Sequence, residues 1–221
     1  MKTLAVTRRS GRPSREDTTK DSRDALLDAA VNLIAERGVS GASSAAIASR
    51  AGVTPAMVHY HFRNRELLLD AVVSERLARF AAHVFPAPMP EAASPVMVAA
   101  IVGRLYEAAR LMPWMPPIWI REIVSEGGAL RSRMLAHFPA SAAATLTQVV
   151  SRDQRAGLVP PDIEPRLAFL TIAGVAMLPL AVRSMWSSLP GLADLDEQAL
   201  QRHAVAVLTG GLAPVSQEHA P

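Results

Sequence analysis

Apolar residues recur along this chain with the spacing of an α-helix, most clearly near its start. Positions i, i+3, i+4, i+7 and i+8 share one helix face, and here they are Leu26, Ala29, Ala30, Leu33 and Ile34. Asp21 or Ser22 can cap the start of this helix, and Gly38 suits its end. Sustained alternation with a period of two is absent, as are Asn-Gly and Asp-Gly turns. The pattern therefore predicts an all-α protein.

Glycine and proline divide the remaining sequence into further helices. Short helices are expected near 43–50, from Thr54 and from Asn64, and longer ones near 95–112, 117–127, 129–156, 165–187 and 195–209. Pro139 can split the third of the longer helices, and the four prolines in the segment from Phe85 to Pro95 inclusive indicate a break between two units. The predicted organisation is a basic arm at 1–20, a small helical domain at 21–70, a larger one at 71–213 and a tail at 214–221.

Composition narrows the function classes. The chain has no cysteine, which excludes disulfides, thiolate catalysis, thiol redox sensing and cysteine-based zinc sites. The net charge of +3 is weak evidence for an anionic partner, but five basic residues precede the first acid, Glu16. Such an arm is typical of DNA-binding proteins, although a solvated tail explains it equally well. The start lacks a secretory signal, and the uncharged run 167–182 falls short of the ~20 residues that span a membrane. The expected location is cytoplasmic.

The stretch from Gly38 to Leu68 predicts two short helices joined by a tight turn, a helix-turn-helix. Ile47 and Ala48 can pack against Val58 of the next helix. Gly52 supplies the left-handed turn conformation, and Phe62 closes the small core.

The outer face of the second short helix is suited to DNA. Its residues from Thr54 to Tyr60 include no acid, so phosphates can approach without repulsion. Methyl groups of Thr54, Ala56 and Met57 can contact thymine, whereas serine hydroxyls and arginines at helix starts favour phosphate oxygens. The predicted DNA contacts, with the arm included, are Arg8, Arg9, Arg12, Ser43, Ser44, Thr54, Pro55, Ala56, Met57, His59, Tyr60, Arg63 and Arg65.

These residues resemble the N-terminal domain of the TetR family of bacterial regulators over about 50 positions. The matching motifs are Gly38-Val39, Ser43-Ser44, Ile47-Ala48, Ala51-Gly52-Val53-Thr54, Val58-His59-Tyr60-His61-Phe62, Arg65 and Leu67. The chain departs from the pattern at Val39, where the family has an aromatic residue, and at Arg65, where it has lysine. His59 replaces a tyrosine that commonly touches phosphate, so Tyr60 is expected to share that contact.

The resemblance implies a homodimer that reads a near-palindromic operator, usually as a repressor released by a small ligand. The arm Arg8–Pro13 also looks like half of an AT-hook, which would place Arg12 in a narrow minor groove.

The helix that follows Arg166 is apolar nearly all round, so it needs cover on every side. A deep core position would supply that cover, but the resemblance favours a dimer interface formed by the last two long helices. The predicted interface residues are Phe169, Ile172, Ala173, Ala176, Leu180, Leu200, Ala204, Val207 and Leu208.

A cluster of tryptophan and methionine between Leu111 and Trp119 is either ordinary core or an adaptable apolar pocket. On the second interpretation a charged or polar residue would orient the polar end of a small-molecule effector, and Arg121-Glu122 could instead be an ion pair. The predicted ligand residues are Arg104, Met112, Trp114, Met115, Trp119, Arg121 and His137.

No metal site, cofactor or catalytic motif is predicted, because His59 and His61 face different sides of a helix and no carboxylate or nucleophile set completes a site. The expected partners are double-stranded operator DNA, a second copy of the chain and an unknown small-molecule effector, with no membrane. The alternative is an all-α dimeric small-molecule-binding protein or enzyme that does not bind DNA.

Overall fold

The computed structural model describes residues 15–89, 91–137 and 140–211, with side chains from residue 21 onward. All regular structure in these segments is helical, which confirms the predicted fold class. The N-terminal elements are α1 (Arg15–Gly41), α2 (Ser44–Arg50), α3 (Pro55–Phe62) and α4 (Arg65–Val72). A π-helical turn, Val73–Leu77, carries α4 directly into α5 (Ala78–Val84). The predicted boundary at residues 70–71 therefore falls inside a continuous helical segment.

The remaining helices pack into a larger bundle. They are α6 (Ser94–Leu111), α7 (Met115–Ile118), α8 (Arg131–Ala136), α9 (Ala140–Arg155), α10 (Ala168–Ala181), α11 (Arg183–Trp186) and α12 (Glu197–Gly210). A second π-helical turn, Trp119–Val124, extends α7, and a short 3-10 turn, Pro165–Leu167, precedes α10. The predicted helix 129–156 is divided into α8 and α9, with Pro139 itself outside the described residues.

The predicted apolar stripe of α1 forms the centre of the N-terminal unit. Leu26, Ala30 and Ile34 are completely buried, and they share one continuous core with residues of the larger bundle. Gly38 interrupts the helical backbone at φ +74 and ψ 171, where α1 turns toward α2. A glycine is needed there because other residues rarely adopt a positive φ.

Buried polar groups join the helices at two further places. Arg76, in the first π-helical turn, donates to Asp28 at 2.7 Å and to Asp24 at 2.9 Å on α1. Asp153 on α9 accepts hydrogen bonds from the backbone N–H and the hydroxyl of Ser94, at 2.6 and 2.8 Å, and so holds the start of α6. Within the described segments, no helix combines the length and the apolarity needed to cross a membrane.

Candidate nucleic-acid interface and internal cavity

Helices α2 and α3 form the helix-turn-helix that the sequence predicts. The hydroxyl of Ser43 accepts a hydrogen bond from the N–H of Ala46 at 3.2 Å and caps the start of α2. Gly52 makes the turn at φ +68, after which the N–H of Val53 donates to the carbonyl of Ala48 at 3.0 Å. The turn is thereby fixed by backbone bonds, and the direction of α3 relative to α2 follows from it.

The outer face of α3 is open to solvent. Thr54, Pro55, Ala56 and His59 are exposed and Met57 is half-buried, whereas Val58 and Phe62 face the core. Tyr60 is 69% exposed. Of the other predicted contacts, Ser43 and Arg63 are exposed and Ser44 is half-buried. The described part of the candidate interface therefore presents an acid-free helix face that DNA can approach, while Arg8, Arg9 and Arg12 lie outside the described residues.

His59 closes the end of α3. Its Nδ1 lies 2.9 Å from the carbonyl oxygen of Arg63, whose φ of 62 is left-handed. Because a carbonyl only accepts hydrogen bonds, Nδ1 must carry the hydrogen, and in a neutral ring Nε2 is then an acceptor. A phosphate oxygen requires a donor, so the hydroxyl of Tyr60 is better suited than neutral His59 to contact the DNA backbone.

Arg65 has a role that the sequence did not reveal. Its Nη2 donates to the carbonyl of Val39 and, at 3.5 Å, to that of Ala42, while its Nε is buried without a partner. The side chain is half-buried and connects the start of α4 to the junction between α1 and α2. The described contacts of Arg65 therefore position the helix-turn-helix, in addition to any contact that it makes with phosphate.

His61 lies between α3 and the start of α1. Its Nε2 is 2.9 Å from the hydroxyl of Ser22, and the guanidinium of Arg23 lies 5.1 Å from the neighbouring ring of Phe62. Burial, and then the charge of Arg23, lower the pKa of His61 below its ordinary value of 6.5. Both causes disfavour the protonated ring.

This pKa shift predicts a loss of stability in mild acid. The unfolded chain binds the proton more tightly than the folded one, so the contribution of His61 is complete above pH 6.5 and is lost as the pH falls toward the lower folded pKa. Urea unfolding at about pH 7.5 and about pH 5.5 should show a smaller loss for His61→Gln than for the unsubstituted protein. Equal losses of stability in the two proteins would mean that protonation of His61 does not contribute to the destabilisation in mild acid.

A cavity of about 130 Å³ lies inside the larger bundle. Its wall is formed by Phe80, Ala81, Val84, Phe85, Leu105, Met115, Trp119, Ile123, Met134, Leu146, Phe169, Ile172, Ala173 and Met177. None of these side chains is charged, and only the indole of Trp119 carries a hydrogen-bonding group. The cavity is therefore suited to an apolar ligand. Within the described residues, no group of three or more metal-ligating side chains is arranged around an ion site.

The structure places two of the predicted ligand residues in the wall of this cavity and the other five outside it. Met115 and Trp119 line the cavity, while Met112 and Trp114 pack against the core outside its lining. The three basic candidates are elsewhere: Arg104 donates to the carbonyl of Val84 at 2.8 Å, Arg121 donates to that of Ala35 at 3.1 Å, and His137 is exposed. These side chains satisfy backbone carbonyls or face solvent, so they do not orient a ligand inside this cavity. Arg121 and Glu122 bond separate backbone groups and form no ion pair.

The structure places most of the predicted dimer residues inside the single chain. Ile172, Ala176, Ala204 and Leu208 are buried within the chain, Phe169 and Ala173 line the cavity, and Leu180 and Leu200 pack against the core. Only Val207 of the predicted set is largely exposed. The outer face of α10 and of the turn before it instead carries Leu167, Leu170 and Leu178. Periodicity could not separate these faces, because the helix is apolar nearly all round.

Comparison with known proteins locates the strongest similarity in the helix-turn-helix. Residues 26–72 match the family model described as bacterial regulatory proteins, tetR family. The transcriptional regulator BetI of Rhizobium meliloti is 30% identical over 98 residues, which are 44% of this chain and 48% of BetI. The class D tetracycline repressor protein of Escherichia coli is 33% identical over 66 residues, 30% of each chain. These matches span half or less of the curated relatives.

Solved structures extend the similarity of fold to most of the chain. The regulator FadR from Bacillus subtilis, solved in complex with stearoyl-CoA, has a TM-score of 0.65 at 20% identity and covers 85% of this chain and 98% of its own. The ketosteroid regulator KstR2 of Mycobacterium tuberculosis has a TM-score of 0.67 at 20% identity, with 87% and 95% covered. At such identities the comparison shows a shared fold.

Proposed function

We propose that the chain, whose residues 26–72 match the tetR family of bacterial regulatory proteins, is a TetR-family regulator that acts as a homodimeric repressor and is released from its operator by a small apolar ligand. The observation that carries the proposal is the exposed, acid-free face of α3. A helix of this kind can place Thr54, Ala56 and Met57 against base edges in the major groove while Tyr60 contacts a phosphate. Insertion of Arg12 into the minor groove remains a prediction.

The proposed dimer rests on the outer apolar face of the last long helices. Leu167, Leu170 and Leu178 are about half exposed or more, and Val207 on α12 is similarly open. An exposed row of leucines is usually covered by a partner surface. A second copy of the chain would supply this partner surface, because the same face of each copy can pack against the other about a twofold axis. A dimer with twofold symmetry in turn favours a near-palindromic operator.

The proposed ligand is apolar because the side chains that line the cavity are almost all apolar. Burial of a ligand's hydrocarbon surface against this wall would be favourable, whereas an ionised group on the ligand would find no charged partner there. The structural neighbours support the same class, since one was solved with stearoyl-CoA and the other is described as a ketosteroid regulator.

Footprinting on the DNA upstream of the protein's own gene tests the proposal. We expect protection of two half-sites about one helical turn, ~34–36 Å, apart, with the protection lost as an apolar ligand is added. Absence of sequence-specific protection at low salt and without ligand would overturn it. That result would favour the alternative, a small-molecule-binding protein for which the cavity is the only functional site.

Two substitutions on α3 should separate base reading from phosphate contact. Tyr60→Phe removes one neutral hydrogen bond and should weaken binding to every sequence by about fivefold, close to 1 kcal/mol. Met57→Ala should instead change the preferred bases at one position of each half-site. Binding selections with a randomised operator measure both effects, and a changed base preference in Tyr60→Phe would contradict the assigned roles.

A further inference from the structure

The π-helical turn Trp119–Val124 has two functional faces. Trp119 and Ile123 line the cavity, whereas Arg121 and Glu122 contact the end of α1. One short segment is therefore part of the cavity wall and also contacts the end of α1, which leads into the helix-turn-helix. π-helical turns within α-helices are frequent at functional sites.

Glu122 is the central residue of this contact. Its side chain is buried, with 6% of its surface exposed. One carboxyl oxygen, Oε1, accepts a hydrogen bond from the N–H of Val39 at 2.9 Å, and Oε2 accepts one from the N–H of Ala129 at 3.2 Å. The backbone carbonyl of Glu122 also accepts from the N–H of Leu130 at 3.2 Å. A single residue thus joins the end of α1, the cavity wall and the turn that leads to α8.

Two glycines make room for Glu122. A Cβ atom at Gly38 would lie 2.9 Å from Oε1 of Glu122, and one at Gly128 would lie 2.4 Å from its carbonyl oxygen. A side chain at position 38 would push away the carboxyl group that holds Val39. Gly38 therefore leaves room for the side chain of Glu122, and Gly128 leaves room for its backbone.

Val39 carries the connection onward to the reading helix. Its N–H is held by Glu122, while its carbonyl accepts the hydrogen bond from Arg65 at the start of α4. Only Arg63 and Asn64 separate Arg65 from the end of α3. A displacement of Glu122 would therefore act on a residue that is directly bonded to the helix following α3.

A second contact runs parallel to the first. Arg133 on α8 pairs with Glu66 and, at 2.6 Å, with Asp70, both on α4, and its neighbour Met134 lines the cavity. This pair is at the surface, where ion pairs contribute little. The buried bonds of Glu122 are the stronger of the two connections, because losing an acceptor leaves buried N–H groups unsatisfied.

We propose that Glu122 is the positioning residue through which occupancy of the cavity controls the helix-turn-helix. A ligand that displaces Trp119 or Ile123 moves Glu122 away from the N–H of Val39 and releases the junction between α1 and α2. This inference rests on the proposed function, since it supplies the regulation of the same ligand and DNA sites. The ligand acts only by its different affinity for the two arrangements.

The test follows the Val39 amide in protein labelled with ¹⁵N-valine, with decan-1-ol as the apolar probe. Filling the cavity should speed hydrogen exchange at Val39 by about tenfold. Binding is followed by tryptophan fluorescence, and Ala173→Leu, which fills the cavity from its own wall, provides occupancy without a probe. Val39 exchange that stays unchanged when the cavity is filled would overturn the proposal.

Glu122→Gln tests the connection to DNA. Glutamine keeps the volume but offers one acceptor oxygen to two N–H groups, so the bridge between Val39 and Ala129 is cut. The operator affinity without probe, divided by that with saturating probe, should fall toward 1 in Glu122→Gln and stay unchanged in Glu126→Gln, a control on an exposed side chain nearby. An undiminished ratio in Glu122→Gln would overturn the proposal, whereas failure of the unsubstituted protein to bind operator would count against the proposed function instead.

Discussion

Replacing Gly128 with alanine should lower the free energy of unfolding by about 3–4 kcal/mol, among the largest effects expected of a single substitution. The new Cβ would lie 2.4 Å from the carbonyl oxygen and 2.6 Å from the carbonyl carbon of Glu122. Both are backbone atoms, so no side chain can rotate to relieve the clash. The π-helical turn itself would have to move, and with it the contact between Glu122 and Val39.

Gly127→Ala is the matched control because it changes the adjacent residue in the same turn. Gly127 has a φ of +77, but a Cβ there meets nothing within 4 Å. Its substitution should therefore cost only the ~1–2 kcal/mol of a left-handed non-glycine residue. Urea unfolding of both variants measures the difference, and equal losses would show that the approach of Gly128 to Glu122 does not constrain the fold.

Leu170→Glu should dissociate the proposed homodimer and lower operator affinity by about 100-fold or more. A dimer binds its two half-sites together, and a monomer loses the effective concentration that this provides, a factor of ~10²–10⁴. Leu170 is 63% exposed in the single chain, so the substitution should leave the fold of each protomer intact. Sedimentation equilibrium and footprinting on the same samples measure the two effects.

Leu135→Glu provides the control for exposed leucines. Leu135 on α8 is 65% exposed, nearly the same as Leu170, but lies outside the proposed interface. This variant should remain dimeric with normal operator binding. Dissociation by both substitutions, or by neither, would mean that the outer face of α10 is not the interface.

The helix-turn-helix was predictable because its determinants are close together in sequence. Gly52 makes the turn through its own backbone, and the buried residues Val58 and Phe62 both follow it within ten positions. The exposed face from Thr54 to Tyr60 follows from the same register. Local patterning was therefore sufficient to predict the helix-turn-helix and the acid-free face that it exposes.

The remaining sites depend on contacts between distant parts of the chain. Arg65 was predicted to be a phosphate anchor, and nothing in the sequence signals that Val39, 26 positions earlier, accepts its hydrogen bond. Arg104 and Arg121 likewise find backbone carbonyls on other helices. On α10, apolar residues surround the helix, so periodicity could not tell the cavity wall at Ala173 from the outer face at Leu170.

The apolar wall of the cavity has a consequence for the range of compounds to which the protein would respond. A site without fixed acceptors or charges discriminates poorly between molecules of similar shape, and a single methylene changes affinity only by about 10–200-fold. Binding would follow the tendency of each compound to leave water, with a negative heat-capacity change. Such a regulator would respond to a whole series of homologous compounds, and the concentration needed for the response would be lower for the less water-soluble members. It would therefore sense hydrocarbon-rich compounds as a class rather than one particular metabolite.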